Sequence, residues 1–325
     1  MRLVPRAPVY LDPAVDDPAL VHRLIDAHAP YWPVQRYFAN DAEYAALSGR
    51  EASAGMIVAP VFRGNWAADG AVCAGVEPLL QTPRFIDAAR RIFDAEIVIP
   101  TTVYVNLTYQ LPFAQGAGHT DVPAFRGFDR ARHPITLLTI MGLSGLFEDV
   151  RVKIATAVAW FYAGADGGFE YWPDGPDRPS RIHEGHIDNT AIAGDNDLMW
   201  HRVRPTGAMA DGMPALTMTS ELSGGANAWT ITDGGRVLAT LGRERLRVSL
   251  SWKAMVFDTD AERRRWEEHT DDIDSAEVLR RFRADLAARG VEVPPAGGDP
   301  ERDPGLIALL QEAYVRYPVP PEQRT

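Results

Sequence analysis

The sequence contains a single cysteine, Cys73, among its 325 residues. One cysteine excludes an internal disulfide and any zinc site built from several thiolates. A chain without disulfides suits a reducing compartment, and its first residues lack the apolar core of a signal peptide, so we expect a cytoplasmic protein. The longest apolar stretch, residues 135–147, is too short to cross a bilayer and contains threonine, serine and glycine. We therefore expect no membrane partner.

Positive charge is also scarce. Lysine and arginine together number 33 against 44 aspartates and glutamates, for a formal net charge of -11 at pH 7. Because nucleic-acid binding needs a basic face, we expect no nucleic-acid partner. Hydrophobic residues at 46% and charged residues at 24% are ordinary for a soluble globular protein. The sequence therefore favours a soluble enzyme over a nucleic-acid-binding or membrane protein.

The spacing of apolar residues predicts three segments within a single domain. Residues 1–95 have the pattern of helix and loop, residues 96–257 that of short strands, and residues 258–325 that of helices again. Many short strands separated by Gly, Pro and Asp favour a mostly β core of the double-stranded β-helix type, the cupin-like jelly roll, with helical N- and C-terminal segments. The helices are predicted at residues 17–28, 41–47, 85–93, 260–269, 274–289 and 306–314, and the strands at 97–100, 102–107, 135–140, 155–162, 189–192, 215–222, 228–232, 236–241 and 246–252.

Two histidines and one aspartate form the most informative pattern in the chain. His119 and Asp121 are two residues apart, so on a strand their side chains point to the same side. His201 follows the turn signal Gly194-Asp195 and is distant enough in sequence for intervening strands to return it beside the first pair. Two histidines and a carboxylate hold Fe(II) on one face and leave the opposite face open. We therefore predict a metal site formed by His119, Asp121 and His201.

A second His-x-Asp pattern, at His186 and Asp188, shows that this spacing alone is a weak signal. Asp188 precedes His201 too closely for strands to come between them. Together with His183 and Glu184, this pair is interpreted as a polar loop over the mouth of the barrel, and a metal role is the alternative.

Arg247 and Ser249 share one face of a predicted strand whose other face is apolar. A guanidinium buried without an anionic partner is unfavourable, and a carboxylate supplies a bidentate partner. We therefore predict that this pair binds an acid beside the metal. Arg245 lies on the same face and is an alternative anchor. An edge strand that turns these side chains to water is the other interpretation.

These pieces, in this order, resemble the Fe(II)/2-oxoglutarate-dependent oxygenases and, more loosely, their phytanoyl-CoA-hydroxylase-like branch. The resemblance covers about residues 103–252. It implies that His119, Asp121 and His201 bind iron, and that Arg247 and Ser249 bind the far carboxylate of 2-oxoglutarate. The matching pieces are His119-Thr120-Asp121, residues 167–173, Gly194-Asp195 leading to residues 201–203, and Arg247-Val248-Ser249.

In one respect the chain departs from the family, whose arginine usually follows the distal histidine more closely. We attribute the long separation of Arg247 from His201 to an inserted hairpin over about residues 211–242, with its turn signal at residues 233–235. Without that insertion, Arg202 and Arg204 would be the rival anchors.

The resemblance implies Fe(II) as the cofactor and 2-oxoglutarate and O2 as cosubstrates, with succinate and CO2 released. Because the first motif contains Asp121 rather than glycine or alanine, no ligand position remains for chloride, and hydroxylation is favoured over halogenation. Desaturation, epoxidation and ring closure remain open. We expect a small-molecule substrate, an amino acid or an intermediate of natural product biosynthesis, either free or carrier-bound, with a protein side chain as another possibility.

Several further side chains are candidates for contacts with the ligands. Tyr104, Asn106 and Thr108 alternate onto one strand face, and Asn106 is predicted to hydrogen bond to 2-oxoglutarate. For Tyr104 and Thr108, exposure to solvent is the alternative. The residues predicted to contact substrate at the mouth or wall of the pocket are Tyr104, Arg126, Arg202, Arg204, Trp172 and Trp200, although aromatic residues at such places are more often part of a core.

Two other functional classes compete with the oxygenase. A cupin-type non-redox metalloenzyme, an isomerase or a hydrolase, would use the same three metal ligands but would have no use for Arg247 and Ser249. In a metal-free binding module, the two histidines and the aspartate would not converge.

Overall fold

Antiparallel strands make up the centre of the protein. The computed structural model describes residues 3–34, 58–112, 118–225, 228–293 and 299–318. The strands in these residues, in chain order, are β1 (Val9–Leu11), β2 (Trp32–Pro33), β3 (Val61–Ala68), β4 (Ala71–Val72), β5 (Ile97–Thr108), β6 (Ala124–Phe125), β7 (Arg151–Trp160), β8 (Phe169–Tyr171), β9 (Arg181–His183), β10 (Thr190–Gly194), β11 (His201–Val203), β12 (Glu221–Gly224), β13 (Trp229–Asp233), β14 (Arg236–Leu241) and β15 (Arg247–Phe257).

Helices flank these strands on both sides in sequence. Four of the described helices have a side-chain cap, in which Asp17, Thr259, Asp274 or Asp303 accepts a hydrogen bond from the first turn. None of the described helices is long and apolar enough to cross a membrane. In chain order they are α1 (Pro18–Ala27), α2 (Glu77–Leu80), α3 (Pro83–Phe93), α4 (Ile135–Ser144), α5 (Asp260–Glu268), α6 (Ser275–Ala288) and α7 (Pro304–Tyr314).

The main sheet has the strand order β1-β10-β7-β15-β5-β3-β2, and every pair in it is antiparallel. Residues that lie opposite one another across paired strands share a face of the sheet. One such row joins Arg63 on β3, Asn106 on β5 and Ser249 on β15. The next row joins Val105 on β5 and Leu250 on β15. The sheet therefore has one polar face and one apolar face.

The apolar face carries the larger core. α3 packs against it through Phe85, whose ring lies 5.7 Å from the ring of Trp252. The indole of Trp252 also donates a hydrogen bond to the carbonyl of Leu80 at the end of α2. Fully burying such side chains stabilises the fold by roughly 1.5–3 kcal/mol each. This packing holds the sheet from behind and leaves its polar face for other contacts.

A second sheet, in the order β11-β8-β9, lies near the polar face. An antiparallel bridge between His119 and His201 adds the chain around His119 to the free side of β11. The prediction of a mostly β protein with flanking helices is confirmed. The double-stranded β-helix arrangement of these strands stays a prediction, and so does a single domain divided at residues 95 and 257.

The strands between His201 and Arg247 form a third sheet of their own, in the order β12-β13-β14. A two-residue turn joins β13 to β14, where Asp233 pairs with Arg236, as the hairpin signal predicted. This sheet packs toward the N-terminal segment, where Tyr31 pairs with Leu222. The long separation of Arg247 from His201 therefore corresponds to strands outside the main sheet.

One predicted strand is wrong. Residues 135–140 begin helix α4, which ends at Gly145. Helix α4 packs with α6 and α7 in a second core, and nearly all of its residues are apolar. Such a run shows neither the alternation of a strand nor the periodicity of an amphipathic helix. The length of the apolar run was the signal that could have indicated a helix, since the helix has ten residues and buried strands are usually shorter.

The first 95 residues contain strands as well as helices. β3 pairs with β5 in the main sheet, where helix and loop were predicted. Apolar side chains occupy both faces of β3, with Val61, Phe62, Trp66 and Ala67 all buried, so the strand lacks a clean alternation. The strand predicted at 215–222 is mostly loop, since β12 begins only at Glu221. The helix predicted at 41–47 lies outside the described residues.

Gly127 is a tight contact between the β core and the C-terminal helices. Its φ is +90°, and a Cβ atom there would clash with the backbone carbonyl oxygen of Ile273, in the loop between α5 and α6. Gly175 has a similar φ of +92°, but nothing lies within 4 Å of the position that a Cβ would occupy. We expect Gly175→Ala to lower the free energy of unfolding by about 1 kcal/mol through its positive φ. Gly127→Ala should cost about 2 kcal/mol more through overpacking.

Urea denaturation of both variants measures this difference. Equal losses in the two variants would mean that the loop at Ile273 moves away freely and is not a fixed contact.

Candidate metal centre

A cavity of about 240 Å³ lies on the polar face of the main sheet. The three predicted metal ligands line it together with side chains from β3, β5, β7 and β15. Phe169 and Val203 contribute apolar wall from the second sheet. The other lining residues are Val34, Val61, Arg63, Tyr104, Asn106, Thr108, Thr156, Val158, Asn196, Arg247, Ser249 and Ser251.

His119, Asp121 and His201 converge. One potential ligand atom from each lies within 4.8 Å of the other two, and no other such cluster of three occurs among the described residues. Asp121 Oδ1 is 3.9 Å from His201 Nε2. A single ion can contact ligand atoms this close, so the donor set fits a divalent metal held by two imidazoles and one carboxylate. The structure thus brings together the three side chains of the metal-site prediction.

Backbone pairing sets this geometry. The amide of His119 donates to the carbonyl of His201 at 2.9 Å, and the amide of His201 donates back at the same distance. The amide of Asp121 donates to the carbonyl of Asn196 at 2.8 Å. His119 and Asp121 are thus both attached to the segment that ends in His201.

A buried ion pair holds that segment in place. Both terminal nitrogens of Arg151 donate to the carboxylate of Asp195, at 3.0 and 3.1 Å. Bidentate pairs of this kind fix orientation as well as supplying energy. Asp197 is also buried, and burial, together with the nearby Asp195 carboxylate, raises its pKa. Arg151 therefore anchors the turn that Gly194-Asp195 predicted ahead of His201.

Both histidines are suited to bind a metal in their neutral form. Burial lowers the pKa of His119 to about 3, and burial also lowers the pKa of His201. His201 Nδ1 lies 2.9 Å from the carbonyl oxygen of Met199, so it donates there and its Nε2 keeps the lone pair. The Nδ1 of His119 is buried without a hydrogen-bond partner among the described residues.

Lys253, which the sequence analysis did not consider, holds the third ligand. Its ammonium donates to Asp121 Oδ2 at 2.6 Å, and the hydroxyl of Thr156 donates to the same oxygen at 3.1 Å. Burial alone would raise the pKa of Asp121, but the Lys253 charge outweighs it and lowers that pKa below its usual range. Asp121 therefore stays ionised, with Oδ2 held and Oδ1 toward His201.

The predicted anchor lies in the same cavity. Arg247 is 1% exposed, and its Nε donates to the carbonyl of Gly167 at 2.5 Å. Ser249 lies two residues further along the same face of β15. Tyr104, Asn106 and Thr108 also line the cavity from β5, so the alternation predicted for this strand is confirmed.

Three residues predicted to contact substrate do not line the cavity. Arg126 forms an ion pair with Asp271 at 2.8 Å, and Arg202 forms one with the buried Glu170 at 2.7 Å. Trp172 is completely buried in the second core. These side chains support the fold because carboxylate partners or apolar neighbours already surround them.

The other candidates at the mouth are placed similarly. Trp200 belongs to the second core, and Arg204 contacts Glu170 and Glu184. Arg245, the alternative anchor, is half-exposed and pairs with Asp211. His183 donates to or accepts from Thr190, and His186 is exposed. None of these residues belongs to the cavity lining.

Sequence reasoning missed two basic residues, Lys253 and Arg63. The strand prediction ended at residue 252, and continuing the alternation from Arg247 through Ser249 and Ser251 would have placed Lys253 on the same face. Arg63 gave no comparable signal, because its place in the cavity depends on the register of β3 against β5.

No protein-family model matches this chain, and no curated protein matches it. Among solved structures, the chain is similar to an oxidoreductase of the 2OG-Fe(II) oxygenase family from Burkholderia pseudomallei, with 14% identity over 78% of this chain and 86% of that chain and a TM-score of 0.43. It is also similar to the non-heme alpha ketoglutarate dependent epimerase SnoN from nogalamycin biosynthesis, with 12% identity over 77% and 79% of the two chains and a TM-score of 0.41.

A third similar structure is HygX from Streptomyces hygroscopicus, crystallised with nickel, 2-oxoglutarate and hygromycin B, with 10% identity, 77% and 83% coverage and a TM-score of 0.36. These descriptions agree with the oxygenase family that the motifs resemble. The phytanoyl-CoA-hydroxylase-like branch stays a prediction.

His201→Ala should weaken binding of a divalent metal strongly, since it removes one of three ligands. We expect the metal affinity to fall by more than the roughly 10- to 100-fold that follows removal of a residue that only hydrogen bonds to a ligand. His186→Ala is the matched control, because it changes the exposed His-x-Asp pattern instead. Titration with Mn(II) or Zn(II) measures both affinities, and equal affinities in the two variants would refute the three-ligand site.

Lys253→Met should move the acid limit of metal binding to higher pH. Asp121 binds metal when ionised, so binding is present above its pKa and is lost as pH falls through it. Without the ammonium, burial raises that pKa. The measurement is the Zn(II) affinity of the wild type and the variant from about pH 5 to pH 8. Ordinary histidines titrate in the same range, so the difference between the two proteins is compared rather than either curve alone.

Lys253→Arg keeps the positive charge and is the matched control for that experiment. An acid limit that stays in place in Lys253→Met would show that the ammonium does not control the ionisation of Asp121.

Proposed function

We propose that this chain is an Fe(II)- and 2-oxoglutarate-dependent oxygenase that hydroxylates a small molecule, an amino acid or a natural-product intermediate. The observation that carries the proposal is a single cavity that contains both the His119, Asp121 and His201 cluster and the Arg247 and Ser249 pair. A metal alone accounts for the first group. A carboxylate-bearing ligand beside the metal would give the arginine and the serine a common role.

In this proposal His119, Asp121 and His201 hold Fe(II), while Arg247 and Ser249 bind the far carboxylate of 2-oxoglutarate. Fe(II), when bound, would activate O2. This activation couples the decarboxylation of 2-oxoglutarate, which gives succinate and CO2, to the oxidation of a substrate C–H bond. The chain's own part is to orient both organic ligands and to limit water. Val158, Phe169 and Val203 supply apolar wall for the second task.

Asn106 has a defined orientation in the cavity. Its Oδ1 accepts a hydrogen bond from Arg63 Nε at 2.9 Å, so its amide nitrogen is the end left to donate. A donor in the row between Arg63 and Ser249 suits a carboxylate or keto oxygen. This supports the predicted hydrogen bond from Asn106 to 2-oxoglutarate.

The strand arrangement supports the same proposal. The main sheet contains β10, β7, β15 and β5 side by side. The second sheet contains β11, β8 and β9, and the bridge between His119 and His201 attaches the segment around His119 to it. We infer that the two sets form a double-stranded β-helix with the metal ligands at the open end. A cavity of about 240 Å³ favours a small-molecule partner over a nucleic acid or a membrane.

The rival proposal, a non-redox metalloenzyme of cupin type, would use the three metal ligands alone. It gives Arg247 and Ser249 no role, although both line the cavity. A metal-free binding module gives no role to the convergence of the ligands.

The test is anaerobic titration with Fe(II) and 2-oxoglutarate, followed by the weak visible charge-transfer band of the iron–keto-acid chelate. We expect the band in the wild-type protein and its loss in His201→Ala. Arg247→Met should keep metal binding but weaken 2-oxoglutarate by roughly 10- to 100-fold, the value of about 1.5–3 kcal/mol for hydrogen bonds to a charged group. Arg245→Met is the matched control, since that arginine pairs with Asp211 outside the cavity.

Tight metal binding by the wild-type protein without any band would contradict the oxygenase proposal and favour the non-redox metalloenzyme. Loss of 2-oxoglutarate binding in Arg245→Met but not in Arg247→Met would reassign the anchor.

A further inference from the structure

One basic side chain in the cavity has no ligand assigned to it in the reaction proposed above. Arg63 on β3 lines the cavity together with the metal-binding side chains. Its guanidinium carbon lies 4.3 Å from the ring centroid of Tyr104, and its Nε donates to Asn106 at 2.9 Å. Both partners are neutral, so these contacts hold the guanidinium in position without balancing its charge.

Within the described residues, Arg63 forms no ion pair with a carboxylate, whereas other arginines near the centre do. Arg126, Arg151 and Arg202 contact Asp271, Asp195 and Glu170, respectively. A half-buried guanidinium that faces a cavity without a carboxylate partner is available to pair with an anionic ligand. Arg63 therefore differs from the arginines that support the fold.

The geometry also indicates which anion fits. Because Nε is used by Asn106, the two terminal nitrogens form the remaining edge of the guanidinium, and that edge pairs with both oxygens of a carboxylate. A phosphate monoester carries about -1.5 to -2 charge at neutral pH and would require further cations or donors. Tyr104 and Asn106 supply no positive charge, so a carboxylate is the better match.

We propose that Arg63 binds a carboxylate of the organic substrate and that the substrate is therefore a small carboxylic acid. The proposal rests on the proposed function, in which Arg247 binds 2-oxoglutarate. Arg247 is almost fully buried at the start of β15, whereas Arg63 is half-buried on β3, near the β2 edge of the sheet. A ligand that enters from solvent after 2-oxoglutarate reaches Arg63 more readily.

The test compares small monocarboxylic acids with their own primary amides, which have nearly the same shape but no charge. The full-length protein is loaded with Zn(II), a diamagnetic substitute for Fe(II), and with 2-oxoglutarate that saturates its own site. Ligand-observed NMR titrations then give the affinity of each acid and each amide. We expect the wild-type protein to prefer acids over amides.

Arg63→Met should weaken the acids by at least about tenfold, as expected for a lost bidentate hydrogen bond to a charged group, and leave the amides unchanged. Arg63→Lys keeps the positive charge but lacks the two parallel N–H donors of the guanidinium, so it should retain part of the preference for acids over amides. Arg23→Met, which alters an exposed ion pair with Asp17, is the matched control and should behave as the wild type.

The Fe(II)–2-oxoglutarate band of the same variants separates this proposal from the proposed function. Arg63→Met should keep the band, with 2-oxoglutarate affinity reduced by no more than about fivefold through the lost contact to Asn106. Loss of the band in Arg63→Met would place Arg63 in the 2-oxoglutarate site and overturn the proposal. So would a wild-type protein with no preference for acids, or a preference that survives in Arg63→Met.

A wild-type protein that shows no band but keeps an Arg63-dependent preference for acids would support the carboxylate site and refute the oxygenase reaction instead.

Discussion

The reciprocal backbone hydrogen bonds between His119 and His201 are the constraint on which the rest of the site depends. They join two segments that are far apart in sequence and place two imidazoles side by side, with ring centroids 4.4 Å apart. A shift of one residue in this pairing would turn one side chain of the cluster to the opposite face. Asp121 depends on the same pairing, because its amide bonds to Asn196 on the neighbouring turn.

Rigidity behind the pairing comes from charge as well as from packing. Arg151 holds Asp195 at the base of the turn that leads to His201, and Lys253 holds one oxygen of Asp121. Both cations lie on strands of the main sheet, β7 and β15. A buried ion pair is a poor source of stability but a good source of orientation. The main sheet thus acts as a rigid support for ligands that the second sheet and its loops present.

Sequence reasoning grouped His119, Asp121 and His201, and paired Arg247 with Ser249, because alternation along a strand and order along the chain can be read directly from a sequence. It could not reach Arg63, whose position depends on the register between two strands, or the ion pair that takes Arg202 out of the cavity. Tertiary partners decide such cases, and a single sequence does not display them. Helix α4 was mistaken for a strand for a different reason, since a segment that is apolar along almost its whole length has no amphipathic period.

The charges around the cavity are compatible with acidic ligands, although the protein as a whole is acidic. The net charge of the whole chain is -11, yet the cavity lining contains two arginines and one aspartate, and Lys253 neutralises that aspartate from behind. A bound divalent metal would add two further positive charges. Two carboxylates of 2-oxoglutarate would leave part of this positive charge unbalanced, and the other arginine in the lining is Arg63. A third carboxylate brings the cavity closer to neutrality, whereas a neutral substrate would leave the charge of Arg63 uncompensated.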